Sequence, residues 1–80
     1  MKTTLASQWT AFRAAVVPAS ASATQVREMR RSFYAGAQAV LMLQMQISGA
    51  DVPDDVGAEF IASLHAECSE FAQQVQAGQA

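Results

Sequence analysis

His65 and Cys68 are the two side chains of this 80-residue sequence best suited to covalent chemistry. Residues three apart on a helix are neighbours, and a histidine beside a cysteine can take the thiol proton and leave a thiolate nucleophile. Acyl transfer also needs donors aimed at the developing oxyanion, and neither a glycine-rich turn nor a dedicated donor set accompanies the pair. The sequence therefore favours a structural reading, with Cys68 a small core residue and His65 at the core boundary with one hydrogen-bond partner. A metal site from His65, Cys68 and Glu67 or Glu70 ranks lower, because Glu67 is expected to point away from the face the other two share. One cysteine and one histidine are too few for a structural zinc site or an internal disulfide. No catalytic residue, metal or cofactor is expected, and the chain is read as not an enzyme.

Arg27, Arg30 and Arg31 form the basic cluster, with Arg13 nearby on the preceding helix and Tyr34 one turn beyond. Their sharper reading is an anion, phosphate or partner contact. The blander one, which antiparallel geometry favours, is ion pairing with Glu67 and Glu70. Asp51, Asp54, Asp55 and Glu59 form an acidic patch, and helix capping accounts for the first three. The spacing lacks the alternating ligands and following glutamate of a calcium loop.

Three helices are expected to position these groups. The first covers about 4–17, capped by Thr3 or Thr4 and stopped by Pro18. Its residues Leu5, Trp9, Phe12 and Val16 fall on one face as a docking stripe. The second covers about 22–48. Ser22 and Gln25 have capping-box spacing, and Gly49 is expected to supply a left-handed C-terminal turn. The third covers about 52–76, with Asp51 as N-cap and Pro53 in the first turn. Val56, Phe60, Leu64, Cys68, Phe71 and Val75 form its stripe, and residues 73–80 are expected to fray. The short link at Gly49 and Ala50 predicts an antiparallel hairpin. Met29, Phe33, Ala37, Val40 and Leu41 would then meet Phe60, Leu64, Cys68 and Phe71. The fold expected is all-α, a single domain over residues 1–80: a short N-terminal helix packed on a long αα-hairpin, completed by oligomerisation.

Oligomerisation enters because the segment Val40 to Ile47 is apolar nearly all round its axis, more than one small chain readily covers. Gly36, Val40, Leu41, Met42, Leu43, Met45 and Ile47 are the expected oligomer or partner interface. Gly36 lies among Ala35, Ala37 and Ala39, where small side chains permit close helix approach. That approach would compensate a helix-interior glycine's cost of about 1 kcal/mol. Composition agrees: charged residues are 15% and apolar residues 51% of the chain, against about 25% charged in ordinary soluble domains. A chain of this size buries only about 60–65% of its unfolded surface, and with disulfide and zinc excluded a second chain is the remaining source of stability.

The net charge of −2 argues against a nucleic-acid-binding domain that works through bulk electrostatics. No apolar run approaches the about 20 residues of a membrane span. Gln8, Trp9 and Arg13 interrupt what would otherwise imitate a secretory leader, so a cytoplasmic location is expected.

The run Val-Arg-Glu-Met-Arg-Arg-Ser-Phe-Tyr-Ala-Gly-Ala, residues 26–37, with Leu64-His65-Ala66-Glu67 and Phe71, resembles small uncharacterised helical proteins of bacteriophages and prophages of proteobacteria. The resemblance covers about the C-terminal two-thirds of the chain. It implies a small helical product in a bacterial host cytoplasm, with a host or phage protein as partner and no activity to carry over. Together the readings predict a small interaction protein that self-associates, with a dimer favoured, and binds or modulates another protein. The alternative is a nucleic-acid-associated regulator whose basic patch is doubled by dimerisation.

Overall fold

A computed structural model describes residues 3–49 and 51–80. The chain is all-helical, with α1 at Leu5–Val16, α2 at Ala23–Ile47 and α3 at Asp54–Gln76, and no strand among the described residues. Ala50, the second residue of the expected hairpin link, lies outside them. No helix is long and apolar enough to cross a membrane among the residues described. The chain divides into two compact units, Met1–Leu43 and Gln44–Ala80. The first contains α1 and most of α2; the second contains the last turn of α2 and all of α3.

In the first unit, Thr4 caps α1. Its hydroxyl accepts from the Ser7 N–H at 3.1 Å, and the Ser7 hydroxyl accepts from the Thr4 N–H at 3.2 Å, so two otherwise unpaired donors are satisfied reciprocally. Pro18 ends the helix, and the Ala21 N–H donates to the Pro18 carbonyl at 3.0 Å to close the connecting turn. The capping box expected at Ser22 is present, with the Ser22 N–H on Gln25 Oε1 at 2.8 Å and the Gln25 N–H on Ser22 Oγ at 3.1 Å.

Aromatic side chains hold α1 to α2. The ring centroids of Trp9, Phe12 and Phe33 lie 5.9, 5.6 and 5.5 Å apart in a triangle, and Tyr34 stands edge-on to Phe33 at 5.9 Å. Trp9 is the one buried hydrophobic residue among those described, 7% exposed. The expected docking stripe is thus engaged at its middle, whereas its ends, Leu5 and Val16, are exposed. Phe33, expected on a seam with α3, is taken up by this cluster.

The second unit departs from expectation at the start of α3. The N-cap is Pro53, extended at φ −61°, ψ 150°, and makes no side-chain cap bond; Asp51 is exposed and does not cap the helix. The reason is steric: a residue before proline is driven out of the helical region, so Val52 cannot open the helix and α3 starts after Pro53. Asp54 and Asp55 then occupy the first turn, where the dipole favours anions. Gly49 does not adopt a left-handed conformation. Its carbonyl instead accepts from the Val52 N–H at 3.0 Å, and Ser48 Oγ covers the Met45 carbonyl at 3.3 Å.

The left-handed glycine is Gly78, at φ 74°. Around it the Gln79 N–H donates to the Gln74 carbonyl at 2.9 Å and the Gly78 N–H to the Val75 carbonyl at 3.1 Å. This is a Schellman closure. α3 runs to Gln76, the end expected for it, and the Gly78 closure satisfies carbonyls of its last turn.

Candidate interaction surface on α2

The exposure of α2 sorts its residues onto separate faces. Val26, Met29, Phe33, Ala37, Gln44 and Ile47 are half-buried and share one side of the helix at 3.6 residues per turn. In the first unit this side receives α1. In the second, Gln44 and Ile47 line a hollow with Val52, Pro53, Gly57 and Ile61. A second face carries Arg27, Arg31, Tyr34, Gln38, Leu41 and Met45, spaced i, i+4, i+7, i+11, i+14 and i+18, with Met42 beside them. These seven lie within about a third of the circumference. Except for the half-buried Tyr34 they are exposed, Leu41, Met42 and Met45 at 53%, 57% and 76%.

The residues expected at an interface therefore divide. Leu41, Met42 and Met45 stand together on the outer face. Val40 and Ile47 belong to the inner side, flanked by Leu43 and Gly36. Val40 and Leu43 keep substantial exposure and Ile47 is half-buried. A Cβ added at Gly36 would meet nothing within 4 Å, so the close helix approach expected there is not made among the described residues.

Among the arginines, Arg31 Nη1 pairs with Glu28 Oε1 at 3.2 Å, both side chains being largely solvent-exposed. The Arg30 guanidinium lies 5.5 Å over the Tyr34 ring. These partners sit on α2 itself, within one turn, where the chain is already ordered and little further entropy is lost. Tyr34, expected to assist an anion clamp, lies beneath Arg30 through its ring. Arg27 is exposed.

On α3 the exposed half of the apolar stripe includes Phe71 at 58% and Val75 at 50%. Cys68, expected in the core, is exposed, because burial along this helix reaches only Gly57, Phe60 and Leu64. His65 is also exposed, and its ring has no hydrogen bond to another described residue. The boundary role with one partner expected for it is not realised. Glu67, expected to point away from Cys68, lines a shallow hollow with Cys68, Glu70, Phe71 and Gln74. No group of three or more His, Cys, Asp or Glu among the described residues is placed to hold a metal ion.

Chemically, α2 presents a ribbon that is cationic toward its N-terminus and apolar toward its C-terminus. Such a surface can bind another helix; it holds no enclosed cavity in which a small substrate would be desolvated. The apolar residues round the axis mark the segment in the sequence, whereas its faces are set by the position of Phe33 against α1. No family model, no curated protein and no solved structure matches this chain.

Proposed function

We propose that this chain is a non-catalytic helical interaction protein that self-associates as a dimer and binds or modulates another protein. The observation that carries the reading is the joint exposure of Leu41, Met42 and Met45 on one face of α2. The resemblance of residues 26–37 to phage and prophage products supports a setting in the cytoplasm of a bacterial host.

The energetics favour association through more than this patch alone. The exposed fractions of the three side chains amount to about two whole residues, worth about 3–6 kcal/mol per chain at 1.5–3 kcal/mol for complete burial. Two chains gain about 6–11 kcal/mol that way, while association costs about 4–15 kcal/mol. Adding the exposed parts of Val56, Phe71 and Val75 on α3 brings the gain to about 10–20 kcal/mol. The middle of that range, about 15 kcal/mol, exceeds the middle of the association cost, about 9–10 kcal/mol, so self-association is favoured. The nucleic-acid alternative has less support, since Arg30 and Arg31 already have neighbours on α2.

Light scattering at micromolar concentration tests the reading. The expected mass is above the 8.5 kDa of one chain and falls toward it in Met42→Glu and Met45→Glu. A wild-type mass of one chain at 100-fold higher concentration overturns it.

A further inference from the structure

The outer face of α2 has a counterpart on α3. Val56, Phe60, Ser63, Glu67, Glu70 and Gln74 repeat the spacing of Arg27, Arg31, Tyr34, Gln38, Leu41 and Met45, six positions at i, i+4, i+7, i+11, i+14 and i+18. Laid antiparallel, the two rows match along their whole length. Met45 meets Val56, Leu41 meets Phe60, Gln38 meets Ser63, Tyr34 meets Glu67, Arg31 meets Glu70 and Arg27 meets Gln74. Laid parallel, Arg27 and Arg31 would face Val56 and Phe60, and the complementarity is lost. Charge over the whole sequence has the same division. All five basic residues lie within residues 1–43 and six of the seven acidic ones within 44–80.

We infer that α3 of a second copy docks antiparallel along the outer face of α2, reciprocally, so that a two-fold dimer contains two such contacts; this rests on the self-association proposed above. The occupant is a second copy because, in the second unit, the side of α2 turned toward the start of α3 carries Gln44 and Ile47, which line a hollow with Pro53, Gly57 and Ile61. Met45, on the outer face of that same turn, is 76% exposed, and Val56 is 43% exposed. Apart from the half-buried Tyr34 and Phe60, the residues of both rows are exposed. Two-fold symmetry makes the two contacts identical, and pairing of like copies closes the assembly at two. Tyr34 phenol and the Arg31 and Arg27 guanidiniums supply donors, and Glu67, Glu70 and the Gln74 amide oxygen accept, which fixes register more than it adds affinity.

Charge exchange tests the arrangement. Arg27→Glu/Arg31→Glu makes both rows acidic in one variant, and Glu67→Arg/Glu70→Arg makes both basic in another. Each variant alone is expected to self-associate at least tenfold more weakly than wild type in sedimentation velocity, with helical circular dichroism unchanged. An equimolar mixture is expected to recover wild-type association, because both contacts of the mixed dimer again join opposite charges. A contact within one chain would gain nothing from mixing. As a second measurement, Met45→Cys/Val56→Cys in a Cys68→Ser background is expected to oxidise to a covalent two-chain species on a non-reducing gel. If wild type associates but the mixture stays as weak as its components, or oxidation gives one-chain products only, this arrangement is overturned while self-association stands. If wild type does not associate, both fall.

Discussion

Replacing Trp9 with alanine removes the single buried hydrophobic side chain among the described residues, and with it ring contacts at 5.9 and 5.6 Å to Phe12 and Phe33. Each aromatic pair contributes about 0.5–1.5 kcal/mol beyond its buried area, and truncating a buried tryptophan costs about 3–5 kcal/mol in total. Against a stability of about 4–12 kcal/mol for a domain of this length, that is enough to release α1. α1 has 12 residues, the lower edge of the about 12–15 at which an isolated helix persists even marginally in water. Once undocked it should melt. With 25 helical residues in α2 and 23 in α3, its melting removes about one fifth of the helical ellipticity at 222 nm. Circular dichroism at 20 °C, with a urea titration, reads both quantities. Phe33→Ala retains the indole as a reporter, and its emission should shift to the red as Trp9 becomes wet. A Trp9→Ala protein with full ellipticity and an unchanged urea midpoint would refute the claim that this aromatic triangle holds α1 in place.

Gly36→Ala should raise stability by about 1 kcal/mol, since the helix interior prefers alanine and the new methyl meets no neighbour; a lower thermal midpoint would show an unseen close approach. Gly78→Ala should shorten α3 at its C-terminus at a cost of about 1–2 kcal/mol, because a Cβ is strained at φ of 74°, and faster amide exchange at positions 78 and 79 checks it. Ser22→Ala should lose about 0.5–2 kcal/mol with the capping box, read from the urea midpoint and contradicted by an unchanged one. Cys68, being exposed, should react with a thiol reagent as quickly in the dilute native chain as in urea, and a protected thiol would contradict its placement.

Local signals placed most of the elements. Thr4, Pro18 and the Ser22 to Gln25 pair bound α1 and start α2, because caps and proline act through bonds a few residues long. The sequence points to Gly49 for the left-handed glycine, which occurs at Gly78. Both follow apolar periodic segments, and nothing local distinguishes a carbonyl closed by a glycine cap from one closed by Ser48. The start of α3 was legible in principle: Val52 precedes Pro53, and the steric rule against a helical residue there outweighs the capping propensity of Asp51.

The candidate surface was legible as a segment and not as a face. Val40 to Ile47 stand out by composition, so the sequence alone identifies where apolar area exceeds what one small chain covers. Which of those side chains turn outward depends on how Trp9 and Phe12 seat against Phe33 and how Gln44 and Ile47 meet the turn before α3.

The amino-acid sequence by itself determined that the chain is helical, with three elements at these places, because helix formation and termination are governed by periodicity and caps within a few residues. Only the tertiary structure decided that α2 turns Phe33 and Ile47 inward and leaves Leu41, Met42 and Met45 exposed. A helix with apolar residues on nearly every side has several faces of similar burial energy, and the selection among them rests with the shape of its packing partner.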